Sequence, residues 1–282
     1  ILYPMRKLSA SALLALGGAS LSVAFVFSLG FGWLITSGEA PEMRAELMES
    51  WKPNAQQLAA EIETYRGGWL GQFAHRSKTA CFFETFLFFF NFGWRSAGMM
   101  LIGMGLYKKG VLSAARSTRF YMALIATAVL VGLPIIAYGV YRNESAGWSL
   151  EYSFSFGPLF NYWGSVAVAL GWVGLVMLVC RAGRVQKLTR PFAAAGRMAL
   201  TCYILQSVIA TTIFYGHGFG CFGHFERWEQ LLTVVSIWAL LLMLSTLWLR
   251  RFRYGPLEWL WRSLTYVKLQ PMLRESKTLP AL

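Results

Sequence analysis

The stretch GRMALTCYILQSVIATTIFYGHGFGCFG, Gly196–Gly223, combines a membrane-length apolar run with a ladder of small polar side chains. Tyr203, Ser207 and Thr211 recur every four residues, so on a helix they line one face, and Gln206 lies beside them. Polar groups in hydrocarbon need partners. We therefore expect this face to border an internal polar cavity rather than lipid.

The composition around this stretch is that of a membrane protein. Apolar and aromatic residues make up 56% of the 282 positions, charged residues only 14%, and the mean hydropathy is +0.47. A soluble domain would carry about 25% charged residues. The net charge of +13 sits in short clusters between apolar runs, which argues against a nucleic-acid partner. Four scattered cysteines predict no disulfide framework, and the absence of aspartate excludes a Ser-His-Asp triad from these residues.

Six apolar segments are near or above the roughly 20 residues that a membrane-spanning helix needs. They lie within Leu8–Gly38, Thr79–Tyr107, Phe120–Tyr141, Tyr152–Cys180, Met198–Tyr215 and Leu231–Leu249. The sequence thus predicts an all-α, polytopic transmembrane helix bundle. The start ILYPMRKLS shows no initiator Met and no signal-peptide pattern, so we expect a fragment of a larger protein whose N-terminal spans are missing.

Basic residues alternate between the segments that connect the spans. Eighteen lie before the first span, between spans two and three, between spans four and five, and after span six, against two acids. The other connections hold seven, against ten glutamates. This is the positive-inside pattern, so we expect both ends of the chain to be cytoplasmic.

The first outer loop, residues 39–78, is long enough to fold on itself. Asn54, followed by Gln57, predicts a helix start, and apolar residues then recur at helical spacing until Gly67-Gly68 breaks the helix. Two interpretations remain open: a lid over an external vestibule, or an amphipathic segment lying on the membrane.

The second span contains its own polar residues. Glu84, Asn91 and Arg95 are spaced i, i+7 and i+11, so an α-helix would place them on one face. A charge within a span is costly unless it is paired or hydrated, and it usually marks a functional interior. Glu84 at the outer, wetted boundary is the alternative; for Arg95 we expect an interior role with an anionic or carbonyl partner.

Two further segments have alternative interpretations. His217, Cys221 and His224 in the Gly-rich turn suit zinc or copper, but they offer three ligands with no visible fourth, so no metal site is predicted. After the sixth span, Pro256 suits a helix start, and Glu258 and Arg262 form an i, i+4 pair. We expect an interfacial helix there on the cytoplasmic leaflet.

Four motifs carry a family resemblance. GRMALTCYILQS, IFYGHGFGCFG, RFRYGPLEWLWRSLTY and RSAGMMLIGMGLYKKGVL resemble the YeiB-like family of bacterial membrane proteins, with its C-terminal domain of unknown function of the DUF418 type. Cys202 stands where that family usually has Asn, and His217 and His224 are not general in it. The family's N-terminal Asp-x-x-Arg-Gly-type motif is absent from this sequence. The resemblance implies a multi-pass protein of the bacterial inner (plasma) membrane. The family is distantly similar to membrane acyltransferases that act on extracytoplasmic sugars.

The resemblance and the polar rows leave three functions open: a membrane acyltransferase acting on an extracytoplasmic acceptor, with key residues in the missing N-terminal part; a small-molecule transporter or exporter; and a non-catalytic envelope protein. The expected partners are the lipid bilayer, the missing spans, and a small-molecule or acyl-donor substrate. No catalytic residue and no cofactor is indicated. The candidate substrate-binding residues are Glu84, Asn91, Arg95, Arg197, Tyr203, Gln206, Ser207 and Thr211.

The same reasoning divides the chain into three parts. Residues 1–110 hold two spans and the outer loop, residues 111–271 form the YeiB-like domain of four spans with its interfacial helix, and residues 272–282 are a tail.

Overall fold

The computed structural model describes residues 2–183 and 186–274, and these residues form helices joined by short turns. Between them they contain an isolated bridge, Phe252 to Leu273, but no β-strand. The predicted all-α fold is confirmed. Most of the predicted tail lies outside the described residues.

The helices follow the chain in this order. They are α1 (Ala10–Ser37), α2 (Pro41–Trp51), α3 (Ala55–Arg66), α4 (Trp69–Phe82), α5 (Gly93–Lys108), α6 (Thr118–Thr127), α7 (Leu133–Ser145), α8 (Leu150–Ser155), α9 (Gly157–Ala182), α10 (Gln186–Arg197), α11 (Ala199–Phe214), α12 (Arg227–Arg251) and α13 (Pro256–Thr265). A short 3₁₀ helix, Tyr3–Lys7, precedes them. Two π-helical segments, Phe83–Phe92 and Ala128–Gly132, join α4 to α5 and α6 to α7 without a break.

Local sequence explains where many helices begin and end. The hydroxyls of Ser9, Ser117 and Ser149 accept a backbone N–H in the first turns of α1, α6 and α8, which caps those helices. Helices α1 and α9 end at Gly38 and Gly183 with positive φ angles of 80° and 64°, a conformation that glycine adopts at little cost. In the outer loop α3 starts just after Asn54 and ends before Gly67-Gly68, so both predicted boundaries are confirmed.

Among the described residues, four helical segments are long and apolar enough to cross a membrane: 10–37, 118–145, 150–182 and 227–251. A fifth is possible if residues 189–197 and 199–214, which meet at 90°, form one broken span. The predicted count of six is therefore approximate. The predicted span that is missing from this set is 79–107. Its residues form a continuous helix, but charged and amide side chains interrupt the apolar run. The chain is that of a multi-pass membrane protein.

The residues group by packing into two compact units, Ile1–Ala55 with Arg76–Gly183, and Gln56–His75 with Arg184–Leu282. The predicted boundary at residue 110 stays a prediction. In the first unit, α1 and α5 pack closely through glycines: a Cβ added to Gly17 would lie 2.9 Å from the carbonyl oxygen of Gly98, and the reverse distance is also 2.9 Å. Gly132 and Gly164 allow a similarly close approach of backbones where the continuous α6–α7 helix packs on α9. Small residues at such crossings let helices approach closely in a membrane.

The outer loop of the first unit is tied down by polar contacts. On α2, Arg44 forms an ion pair of 2.6 Å with Glu151, and the indole of Trp51 donates to the backbone oxygen of Trp148 at 2.9 Å. These contacts hold α2 against α8 and the turn that precedes it.

In the second unit, the segment 56–75 packs on the Gly-rich turn. The ring of Tyr65 stacks on Phe222 with centroids 4.6 Å apart, and Arg66 Nε donates to the Phe222 carbonyl at 2.8 Å. The backbone N–H of Gly216 donates to the Tyr65 oxygen at 3.0 Å. The remainder of this unit is the α10–α11 pair packed on α12 and α13.

Candidate functional site

Arg95 lies in the first turn of α5 and contacts α9. Its Nη2 donates to the Ser165 hydroxyl at 2.9 Å, and its guanidinium carbon lies 4.3 Å from the ring centroid of Tyr162. The Tyr162 hydroxyl donates in turn to the backbone oxygen of Leu21 on α1 at 2.7 Å, and Tyr162 is 5% exposed. Three helices of the first unit thus meet at a single half-buried cation.

Asn91 adds a neighbouring polar contact one helical turn earlier. Its amide nitrogen donates to the Ser28 hydroxyl at 2.7 Å, and that hydroxyl donates to the Ala24 carbonyl at 2.9 Å. The Ser20 hydroxyl donates to the Trp94 carbonyl at 2.6 Å. Helix α1 therefore makes polar contacts with the end of the π-helical segment and with the start of α5, next to Arg95.

The partners of Arg95 are all neutral. Within the described residues no carboxylate pairs with its guanidinium, which has a hydroxyl and an aromatic face as neighbours. A cation–π contact contributes about 0.5–2 kcal/mol, and a charged group within a span costs about 3 kcal/mol on insertion scales. Within the described residues, no acidic side chain forms an ion pair with Arg95. The interior role of Arg95, with an anionic or carbonyl partner, stays a prediction.

The π-helical winding of residues 83–92 changes which side chains share a face. The spacing of Glu84, Asn91 and Arg95 places them on a single face only if the helix is an α-helix. A π-helix has more residues in each turn, so the same spacing directs Glu84 away from the other two. Glu84 is exposed and has no hydrogen-bond partner among the described residues, while Asn91 and Arg95 reach other helices. Six phenylalanines crowd this segment, and π-helical turns occur frequently at functional sites.

The ladder on α11 lies on an exposed face of the second unit. Tyr203 is 67% exposed, and Gln206 and Ser207 are also exposed. The hydroxyls of Ser207 and Thr211 donate to carbonyls one turn earlier, at 3.1 and 2.9 Å. The amide of Gln206 has no partner in the described part of the chain. The two cavities described in this unit are lined by other faces of α11, so an internal polar cavity at this ladder stays a prediction.

Arg197 is the last residue of α10, where the chain turns by 90° into α11. Its side chain is exposed, and Nη2 donates to the backbone oxygen of Arg253 at 3.0 Å. Arg197 belongs to the second unit, whereas Arg95 and Asn91 belong to the first. That the two groups of candidate residues bind the same substrate stays a prediction.

A contact that sequence reasoning missed joins α13 to the start of α11. The Glu258 carboxylate accepts the backbone N–H of Thr201 at 3.0 Å and its hydroxyl at 2.5 Å. The Thr201 hydroxyl also accepts the N–H of Leu257 at 3.2 Å. Glu258 therefore caps α11 from another helix, which compensates free N–H groups and the positive end of the helix dipole.

This contact corrects the expected i, i+4 pair. Glu258 is bonded to Thr201 rather than to Arg262, whose guanidinium instead lies 4.7 Å from the Tyr254 ring centroid. Gly255 makes the contact possible, because an added Cβ would overlap the Glu258 carboxylate and the Thr201 hydroxyl. In the sequence, the only indication that these two segments meet was that GRMALTC and YGPLEW both belong to the motifs of the family resemblance.

The histidines of the Gly-rich turn are packed on aromatic rings. The His217 ring lies 5.3 Å from Trp69 and 5.9 Å from Tyr215, edge to face in both cases. Within residues 2–183 and 186–274 no group of three or more His, Cys, Asp or Glu side chains is arranged to hold a metal ion. The turn packs against the outer segment through aromatic rings and backbone contacts.

The helices and the candidate residues define a multi-pass, all-α membrane protein with a half-buried cation in one unit and a broken helix in the other. Residues 106–268 match the family model described as "Protein of unknown function (DUF418)", which is more than half of the chain. The chain belongs to this family. Arg95 and Asn91 lie before the matched residues.

Two relatives place the chain more closely. It is 38% identical over 196 residues to "Uncharacterized protein YeiB" of Escherichia coli (strain K12), an alignment that covers 67% of this chain and 48% of YeiB. It is 41% identical over 106 residues to "Uncharacterized protein YxaH" of Bacillus subtilis (strain 168), covering 38% of this chain and 26% of YxaH. The chain thus spans less than half the length of these relatives. No solved structure matches it.

Proposed function

We propose that this chain is part of a bacterial inner-membrane acyltransferase that acts on an extracytoplasmic acceptor and uses Arg95 to hold an anionic group of its substrate. The observation that carries the proposal is the half-buried guanidinium of Arg95, whose described partners, Ser165 and Tyr162, are neutral. A cation that leaves water without a carboxylate partner is stabilised by an anion that arrives from outside the fold.

Acyl transfer supplies such an anion in two ways. An activated acyl donor often carries phosphate, which a planar guanidinium binds through two parallel hydrogen bonds. Negative charge also develops on the carbonyl oxygen in the transition state, and a fixed cation in a water-poor site stabilises it. Transfer further needs a general base. No carboxylate or imidazole contacts Arg95 among the described residues, so Arg95 binds charge and the base is a separate residue.

The test replaces Arg95 in the natural protein, expressed in a bacterial strain that lacks its own copy. Ester-linked acyl groups on surface glycans are released with mild base and quantified by mass spectrometry. We expect Arg95→Gln to lower acylation about ten- to hundredfold, the loss that follows from removing a charge-assisted hydrogen bond of 1.5–3 kcal/mol, and Arg95→Lys to retain part of it.

The matched control is Lys109→Gln, which removes an exposed basic side chain at the end of the same helix. It should leave acylation at the wild-type level. The proposal would be refuted if deletion of the gene did not change acylation. It would also be refuted if the Arg95→Gln variant acylated as well as the wild type.

A second function, small-molecule transport, is favoured by one observation. The 90° break between residues 189–197 and 199–214 resembles the discontinuous helices at which many transporters bind their substrate. Transport would alter accumulation of a solute while surface acylation stayed constant, so the same deletion strain separates the two functions.

A further inference from the structure

The second unit contains an apolar groove that the candidate residues do not use. It has a volume of about 560 Å³ and lies between α11, α12 and the start of α13. Its walls are formed by aliphatic side chains: Ile204, Leu205, Val208, Leu244, Leu247 and Leu257. Ligand cavities typically measure 300–1,000 Å³, so the groove is large enough for an extended apolar chain.

The rim of this groove is cationic. Arg251, at the end of α12, lines the groove, is exposed, and makes no side-chain hydrogen bond within the described residues. Arg274 lies alongside, since its backbone N–H donates to the Arg251 oxygen at 3.1 Å and its Nη1 donates to the Leu249 oxygen at 3.0 Å. Among the described residues, the carboxylate of Glu258 on α13 has both oxygens engaged by Thr201 and forms no ion pair with Arg251.

The groove opens beside a helix suited to the membrane surface. On α13, Leu260, Trp261 and Leu264 are 47%, 67% and 68% exposed. Exposed tryptophan and leucine on a short helix that also carries arginine suit the head-group region of a bilayer. The predicted orientation places this end of the chain on the cytoplasmic side, where basic pockets between helices bind anionic head groups.

We propose that this groove is a binding site for an anionic phospholipid, with one acyl chain between α11 and α12 and its phosphate at Arg251. A phospholipid joins a long apolar chain to a phosphate, which matches the aliphatic walls and the guanidinium of Arg251 at the rim. This site is independent of the proposed acyl transfer and of Arg95.

The experiment uses the purified full chain with a one-to-one mixture of phosphatidylglycerol and phosphatidylcholine that carry identical acyl chains. Native mass spectrometry counts the lipids retained after detergent exchange. Both head groups carry the phosphate, but the choline cation of phosphatidylcholine offsets its charge and repels a basic rim. We therefore expect one phosphatidylglycerol to be retained about tenfold in preference. Arg251→Gln should abolish the preference, whereas Arg250→Gln, an exposed arginine next to it outside the groove, should keep it.

Filling the groove tests the acyl-chain half of the proposal. Leu244→Trp should lower retention of both lipids, and the milder Val208→Phe should do so in part. Val235→Trp changes an exposed position on α12 away from the groove and should have no effect. Size-exclusion elution identifies any variant that fails to fold. The proposal would be overturned if folded Val208→Phe and Leu244→Trp proteins retained lipid as the wild type does. It would also be overturned if Arg251→Gln kept the preference for phosphatidylglycerol, or if the wild type retained free palmitate as well as it retains phosphatidylglycerol.

Discussion

Gln72 is 1% exposed although it belongs to an outer loop. Its amide nitrogen donates to the carbonyls of Tyr65 and Gly67 at 2.8 and 2.7 Å, which closes the break between α3 and α4. The two carbonyls stand where the helix ends and lack helical partners of their own. One side chain therefore fixes the angle at which the outer segment turns, and with it the position of the Tyr65 ring on the Gly-rich turn.

Replacing Gln72 by Leu should destabilise this segment by about 1–3 kcal/mol, because the half-buried Gly67 carbonyl loses this donor, while the Tyr65 carbonyl retains the N–H of Gly216. Hydrogen–deuterium exchange of the amides between residues 60 and 75 should become about ten- to hundredfold faster, in proportion to that loss. Gln56→Leu, on the exposed side of α3, is the control and should leave the exchange rates unchanged. Equal protection in both variants would mean that the amide does not hold the turn.

The bend between α10 and α11 depends on an element distant in sequence. Helix α11 restarts after Met198, and Thr201 in its first turn is capped by Glu258 of α13. The cap requires Gly255, since a methyl group there would occupy the space of both partners. The hydrogen bonds of Glu258 therefore hold the start of α11 against α13.

Gly255→Ala should open this cap and lower stability by about 1.5–3 kcal/mol, the range for a lost hydrogen bond to a charged group. Thermal unfolding of the purified protein in detergent, followed by circular dichroism, measures the change in Tm. Glu258→Ala should give a similar decrease, because it removes the same contact from the other side. If both variants unfold at the wild-type temperature, the cap contributes nothing to stability.

Gly196→Ala provides the matched control for the glycine. It also lies in a helix of the second unit, but an added Cβ would meet no atom within 4 Å. Alanine is the better helix former by about 0.5–1 kcal/mol, so this variant should be neutral or slightly more stable.

For the whole molecule, the distribution of basic residues predicts the orientation. We expect Glu46, on the exposed side of α2, to face the exterior and Lys109, at the end of α5, to face the cytoplasm. Single cysteines at these positions, in a variant whose four native cysteines are replaced by alanine, should differ in labelling by a membrane-impermeant maleimide. Only the cysteine at position 46 should react in intact cells, and both should react after lysis. Equal reaction of both in intact cells would contradict the orientation.

The sequence alone predicted the features that depend on local pattern. Apolar length predicted α1, the α6–α7 helix, α9 and α12, because a bilayer of fixed thickness demands it. Asn54 and the Gly67-Gly68 pair predicted both ends of α3, because capping and glycine act within a few residues. The resemblance of the four motifs predicted the family, which the match over residues 106–268 confirms.

Only the tertiary structure decided which side chains meet. The π-helical segment 83–92 separated Glu84 from Asn91 and Arg95, because its i→i+5 hydrogen bonds place side chains at other angles than an α-helix does. Ser165 and Tyr162 became the partners of Arg95, and Thr201 that of Glu258, through contacts spanning more than fifty positions. Spacing along one helix contains no information on the helix that will pack against it. That choice is made by close approach at glycines such as Gly17, Gly98 and Gly255, where a missing Cβ lets two backbones or a carboxylate fit.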